Sequence, residues 1–420
     1  MNFKESIDWL YGFEKFGVKL GLERITNLCK ELRNPQENYQ IIHVGGTNGK
    51  GSVCRYISSV LTFSGFKTGI YTSPHLQRFQ ERFIIDDQEI SEQDVAYLVE
   101  KIKPIVEKMK DLPTFFEIVT AMCFQYFKEK KVDYAVLEVG LGGRYDATNI
   151  VKPIQTAITN VSLEHQKTLG KTIDIIAIEK AGIIKNDIPI VTAAQKESLD
   201  VIKKIADVKN ANITVVDNSK WIRNTSQGFL IKGELNDYNV KTKMIGEFQG
   251  ENIALALGVI EGLQVQGVYI TDESITRGIE KTICSGRMEI INQNPLILLD
   301  GAHNPAGMNI LKSVLETDFE YNNLVLILGI LSDKNISKML KIIVPLANMI
   351  ILTKSNNSRA CNPQELEKQV NGLKLKGKTI ITTNVKDAID HAQKIAGKDD
   401  LICITGSLFT VGEARDIFGL

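Results

Sequence analysis

The sequence predicts an α/β protein of two parallel-sheet domains. Three observations carry that reading: short β-branched runs alternate with longer amphipathic segments, the alternation stops and then restarts, and one strand-like run passes through a glycine-rich turn into a helical pattern. In order, residues 41–44, 68–71, 134–139, 156–160 and 188–191 read as strands of the first set. They are too short for helices, and the segments between them can hold the crossover helices that parallel strands require. A β-like stretch near 228–243 and a helix over about 252–262 close this region. A second set follows at 296–299, 324–328, 349–352, 379–381 and 401–404, again with helices between. A linker near 285–294 then divides the chain into domains of residues 1–285 and 286–420. Residues 374–378 read as a basic surface turn, and there is no internal repeat or low-complexity tract.

Composition narrows the class. With 420 residues, 43% hydrophobic and 24% charged, the chain can bury sizeable cores. Lys+Arg and Asp+Glu both number 50, so no overall basic field exists to gather nucleic acid or anionic lipid, and neither is an expected partner. The six cysteines are scattered without a C-x-x-C, which argues against a disulfide framework or zinc site and for a reducing cytoplasm. The Met1-Asn2-Phe3-Lys4-Glu5-Ser6 start lacks a signal-peptide pattern, and no apolar run reaches about 18 residues, so neither export nor membrane insertion is expected.

Chemistry enters with Gly45-Gly46-Thr47-Asn48-Gly49-Lys50-Gly51-Ser52, which follows Ile41-Ile42-His43-Val44 and leads into Val53-Cys54-Arg55-Tyr56-Ile57 at helical spacing. Glycines let backbone N–H groups turn toward a phosphate, and the helix N-terminus adds its positive end. Lys50 reaches the outer phosphates and Ser52 can ligand Mg²⁺, so the loop points to ATP. It departs from G-x-x-x-x-G-K-[ST]: Val44 stands where the first glycine belongs, and Gly51 separates the lysine from the hydroxyl. A plain strand-to-helix turn is the competing reading, and Lys50 weighs against it. Glu138 ends the buried-strand pattern Tyr134-Ala135-Val136-Leu137-Glu138-Val139 and suits Mg²⁺, or else pairs with Arg144 or Lys50. On their own residues, His165 and Lys180 read as structural: a lone histidine, and a lysine near a helix C-terminus.

The motifs together say more. Leu20-Gly21-Leu22-Glu23-Arg24-Ile25, the phosphate loop, Thr72-Ser73-Pro74-His75-Leu76, Glu138 through Asn149 and Glu179-Lys180-Ala181-Gly182-Ile183-Ile184-Lys185 occur in order. Ser285-Gly286-Arg287-Met288-Glu289, Asp300-Gly301-Ala302-His303-Asn304-Pro305 and Thr405-Gly406-Ser407-Leu408-Phe409 follow. Along nearly its whole length the chain resembles the folylpolyglutamate synthases, often bifunctional with dihydrofolate synthase in bacteria, of the Mur ligase superfamily. The shifted glycine is the form that superfamily uses.

The resemblance implies a P-loop-type ATPase domain followed by a smaller Rossmann-like glutamate-ligase domain, with the nucleotide between them. Asn48, Gly49, Lys50, Gly51, Ser52, Asn252, Arg287, Asp300 and His303 match its ATP positions, and Ser73, Glu138, His165 and Lys180 its Mg²⁺ ligands. Lys180 matches a lysine that takes up CO₂ as a carbamate, and so becomes an anionic ligand. The substrate-binding positions implied are Leu20, Gly21, Leu22, Thr114, Phe115, Phe116, Glu117, Tyr145, Asp146 and Ala147. Phe116 reads as a stacking surface or a core aromatic. Asn304 can cap a helix that starts at Pro305, which holds His303 just before a positive helix end.

The implied activity is ATP-dependent addition of L-glutamate to folates, and to dihydropteroate, through an acyl phosphate. Two Mg²⁺ ions, Lys50, Lys180 and His303 serve it in a monomer. No protein nucleophile is needed, and no Ser-His-Asp order or activated-cysteine pattern stands out. A cell-wall Mur ligase is disfavoured because a loop starting at residue 45 leaves no room for a preceding sugar-nucleotide domain. An ATP-driven switch gives no reason for Lys180 beside His165, and a non-catalytic binder gives none for the complete metal and phosphate set.

Overall fold

A computed structural model describes residues 1–17, 19–373 and 377–420, so most of the basic turn expected at 374–378 lies outside the described residues. The chain forms two compact units. The first holds Met1–His75, Phe79–Thr242 and Gly250–Thr282, and the second Leu76–Arg78, Lys243–Gln249 and Ile283–Leu420.

In the first unit, eight strands build one sheet: β1 (Gln40–Gly45), β2 (Thr68–Tyr71), β3 (Phe83–Ile85), β4 (Gln88–Glu89), β5 (Tyr134–Glu138), β6 (Gln155–Ile158), β7 (Ile190–Thr192) and β8 (Ile213–Val215). Their order is β4-β3-β2-β5-β1-β6-β7-β8, with β3 and β4 antiparallel and the other pairings parallel. From β1 the chain crosses to one side of the sheet and after β5 to the other. The carboxyl end of β1 therefore lies at the switch in strand order, where such sheets bind ligands. Register puts Val44 beside Glu138 and Gly45 beside Ile158. Only Gln40 of β1 is exposed, and a central parallel strand reads as this continuous apolar run because both its faces are covered.

The stretch near 228–243 contributes to a separate antiparallel meander of β9 (Trp221–Arg223), β10 (Gly228–Lys232) and β11 (Asp237–Lys241). Its last turn is tied to the helix Gln249–Val265 by one carboxylate. Glu261 accepts from the backbone N–H groups of Glu234, Leu235 and Asn236 and from the Tyr238 hydroxyl.

The second unit carries β12 (Glu289–Gln293), β13 (Leu296–Asp300), β14 (Leu324–Leu328), β15 (Met349–Leu352), β16 (Lys378–Ile381) and β17 (Leu401–Thr405), in the order β12-β13-β17-β14-β15-β16. All pairings are parallel except β12 with β13. Alternate residues fill two cores. Leu298, Leu326, Leu328 and Ile350 face one, and Ile297, Leu299, Val325, Ile327 and Ile351 face the other, so helices cover both sides. The stretch read as a linker, 285–294, is a strand over Glu289–Gln293; its Asn and Gln residues and the following Asn294-Pro295 look like loop in sequence, whereas the structure pairs it along β13. Among the described residues no helix is long and apolar enough to cross a membrane.

Candidate active site

The loop after β1 turns into the helix Lys50–Phe63, with Gly49 as its N-cap at φ +83°. Glycine is required twice here. Gly46 stands at φ +132° with Thr159 pressed against it, and a Cβ on Gly49 would collide with Asn252 Oδ1. Asn252, on the helix Gln249–Val265, therefore lies against the loop. Lys50 Nζ donates to the carbonyl oxygens of Gly46 (3.2 Å) and Thr47 (3.1 Å), which keeps the ammonium over the loop.

Glu138 ends β5, next to β1. Its Oε2 accepts the Ser73 N–H at 3.1 Å, and a Cβ on Gly51 would stand 3.8 Å from it. A carboxylate and a serine thus meet at the helix start where phosphate and cation would sit. Lys180, near the end of the helix Ile173–Ala181, is 1% exposed. Its ammonium donates to Gly46 O at 2.8 Å and to Glu164 Oε1 at 2.7 Å. Burial pulls the Lys180 pKa down to about 8, against the opposing pull of Glu164 and with help from Lys50. Burial would raise Glu164, but the ammonium groups of Lys180 and Lys50 carry its pKa below the usual carboxylate value. His165 is exposed and caps the short helix Gln166–Leu169 in a left-handed conformation at φ +44°.

Among the described residues no three His, Cys, Asp or Glu side chains cluster to hold a metal. The Glu138 carboxylate, with Ser73 beside it, lies next to the phosphate loop, and such residues fit Mg²⁺ held by one carboxylate, a hydroxyl and substrate phosphates. As an ammonium Lys180 is no ligand. A carbamate there would face Glu164, a pairing of anions that a divalent cation neutralises.

The substrate-side residues assemble in the same unit. Thr114 caps the helix Phe115–Lys130 in a capping box with Glu117. The Glu117 carboxylate also receives Arg24 Nε at 3.1 Å, and Arg24 Nη2 donates to Lys19 O at 3.0 Å, which ties the 19–22 turn to this helix. Leu20 is 56% exposed, Gly21 has φ +126° and Leu22 precedes the helix Glu23–Glu31. Phe115 stacks on Tyr11, and the Arg82 guanidinium lies 5.5 Å over its ring. Phe116 packs directly against Gly140. Tyr145 is 40% exposed, whereas Asp146 and Ala147 are buried; Asp146 accepts from Leu141 N, Thr148 N and Thr148 Oγ1.

In the second unit, Asp300 ends β13 and is 5% exposed. Its oxygens accept Met288 N (3.1 Å) and Ala302 N (2.9 Å); burial raises its pKa, while Arg287 and these N–H donors oppose the rise. His303 Nδ1 lies 2.8 Å from Gly301 O, and since a carbonyl only accepts, Nδ1 carries the proton. Asn304 caps the helix Pro305–Thr317, accepting Gly307 N at 2.7 Å, as its sequence indicates.

Two residues escaped the sequence reading. Asn160 Oδ1 accepts Asn48 N at 3.0 Å and its backbone O accepts Thr47 N at 2.7 Å, so it clamps the loop. Glu164 is the partner of Lys180. Asn160 falls in the strand expected over 156–160, but β6 stops at Ile158, and polar residues just past a strand end are the available signal for both.

The family model of the Mur ligase middle domain matches residues 44–260, and that of the Mur ligase glutamate ligase domain matches 286–408. The chain is thus a Mur-type ligase, its phosphate loop opening the first of the two matches. Dihydrofolate synthase/folylpolyglutamate synthase of Bacillus subtilis is 35% identical over 98% of both chains. Among solved structures, Mycobacterium tuberculosis folylpolyglutamate synthase complexed with ADP aligns over 100% of this chain and 99% of that one, with TM-score 0.92 and 31% identity. E. coli FolC in complex with DHPP and ADP aligns over 99% and 97%, with TM-score 0.88 and 27% identity. The chain belongs to the folylpolyglutamate synthase/dihydrofolate synthase family of ATP-dependent ligases.

Proposed function

We propose that the protein joins L-glutamate to the carboxylate of folates, and of dihydropteroate, at the expense of ATP. The observation that carries this is the meeting, at the end of β1, of the phosphate loop with Asn252, Ser73 and Glu138, in the unit that also assembles Phe116 and Asp146.

A carboxylate is a poor electrophile. The substrate carboxylate attacks the γ-phosphate of ATP, ADP leaves, and the amine of glutamate displaces phosphate from the acyl phosphate to form the amide. Both steps gather anions, so the protein's work is electrostatic. Lys50 exchanges its two loop carbonyls for phosphate oxygens, and the N–H groups at the start of the helix Lys50–Phe63 face the same charge. Ser73 and Glu138, and His165 with a carbamylated Lys180, would hold Mg²⁺, which when bound would supply neutralisation of phosphate charge. The buried, pKa-lowered amine of Lys180 supports the carbamate, which forms from the neutral amine. His303, with Nδ1–H held by Gly301 O, offers Nε2 to a phosphate-bound proton or to the glutamate amine. Asn48, Gly49, Gly51, Ser52, Arg287 and Asp300 complete the nucleotide contacts, Leu20, Gly21, Leu22, Thr114, Phe115, Phe116, Glu117, Tyr145, Asp146 and Ala147 take the pterin end, and the enzyme works as a cytoplasmic monomer.

Purified protein is assayed for ADP and phosphate with tetrahydrofolate or dihydropteroate, with and without glutamate. ATP turnover that requires both co-substrates supports the reading. Fast turnover without them points to a switch, and AMP as product to an adenylating enzyme.

A further inference from the structure

Three buried side chains link β1 to the substrate-side loop. Thr148 Oγ1 donates to Asp146 Oδ1 at 2.5 Å, and the same oxygen lies 2.8 Å from His43 Nε2. A hydroxyl has one proton. Because Thr148 gives it to the carboxylate, the contact with His43 runs the other way, with Nε2–H donating to Oγ1. His43 is therefore the Nε2–H tautomer, and its Nδ1, completely buried, has no hydrogen-bond partner among the described residues. An apolar residue would serve a central strand better than a buried ring with a bare nitrogen, so the histidine costs stability that its contact with Thr148 has to justify.

Downstream, Asp146 Oδ1 also accepts Thr148 N at 3.0 Å, and Oδ2 accepts Leu141 N at 2.8 Å. Leu141 follows Gly140, against which the Phe116 ring packs. The Asp146 carboxylate thus fixes the turn behind Phe116. A hydroxyl that accepts from an imidazole N–H is a stronger donor to its own acceptor, which holds Asp146 as a fixed anion. Burial and nearby Lys185 bring the His43 pKa down to about 3, consistent with a neutral ring.

We propose that His43 and Thr148 are positioning residues for the pterin-bearing acid, orienting the Asp146 carboxylate and the 140–142 turn that receive it. The inference rests on Asp146 as a substrate contact. Neither residue touches the reacting atoms.

Steady-state kinetics of Thr148→Val, which removes the hydroxyl at nearly constant shape, test this beside His43→Leu, His43→Gln and Asp146→Asn. Thr148→Val and His43→Leu are expected to raise KM for the folate acid about tenfold while kcat and the KM values for ATP and glutamate stay within about twofold. His43→Gln, which keeps an N–H near the Nε2 position, is expected to recover most of the loss. A folate KM that Asp146→Asn shifts but Thr148→Val and His43→Leu do not would overturn the relay alone. A folate KM that Asp146→Asn leaves unchanged would overturn the substrate assignment and the relay with it. Equal losses toward ATP and folate would mark a merely structural network. Independently of whether the variants fold, ¹⁵N spectra of the wild-type histidines are expected to show one Nε2–H ring with a bare Nδ1 at neutral pH; the opposite tautomer or an imidazolium at His43 contradicts the proposal.

Discussion

The two units hold their candidate site charges in different ways. In the second, Asp300 and His303 are fixed mainly by nearby backbone: Ala302 N, Gly301 O and Met288 N, with the Asn304 cap just beyond. In the first, partners come from far along the chain. Lys180 reaches Gly46 across 134 residues, Asn48 N reaches Asn160 across 112, and Ser73 N reaches Glu138 across 65. A locally built site survives as a turn wherever that segment folds. A site built from distant strands exists only when β1, β5 and β6 lie side by side, so it ties the chemistry to the core and hides it from the sequence.

Substitutions can break this contrast. Lys180→Ala is expected to cost the most, about 10³-fold or more in rate, because it removes a ligand-forming group and leaves Glu164 without its nearest cation. Rates near wild type in a folded variant would reject Lys180 as part of the machinery. Since the carbamate forms when the neutral amine attacks CO₂, and the Lys180 pKa is pulled down to about 8, protein stripped of CO₂ is expected to regain activity faster at about pH 9 than at about pH 7 when both are held at the same dissolved CO₂ concentration. Recovery that ignores both CO₂ and pH would count against the carbamate.

Lys50→Ala follows, with an expected loss on the order of 10²-fold in kcat and an intact fold by circular dichroism. Asn160→Ala is smaller: it frees Asn48 N while the backbone carbonyl still holds Thr47 N, and it is expected to raise the KM for ATP about tenfold without changing the KM for the folate acid. An unchanged ATP KM would show that the loop holds its shape without this clamp. The smallest effect belongs to the locally built site. Asn304→Ala is expected to lower stability by about 1 kcal/mol in denaturant titration, the cost of one helix cap.

Legibility follows the same divide. Thr68–Tyr71, Leu324–Leu328 and Met349–Leu352 are strands over the residues their β-branched runs indicate, and the phosphate loop and the Asn304 cap need only adjacent residues. The short strands β3, β4 and β8 are not legible because two or three residues give no periodicity. Lys180 read alone looked like a helix-end cation, and only the motif resemblance lifted it to a ligand. What the residues could not show is that the last turn of its helix faces Gly46. Glu164 stayed unread because its function depends on that buried amine, and Glu117 and Asp146, placed by resemblance as substrate contacts, also hold Arg24 and the 140–142 turn in ways no spacing reveals.

One ATP is expected to be split for each glutamate joined to a folate-type acid. Quantifying ADP beside product mass in the same reaction tests it directly. One ADP is expected per glutamyl residue gained, with no steady ADP formation when glutamate is withheld; product without ADP, or ADP formed steadily with no gain in mass, would contradict this.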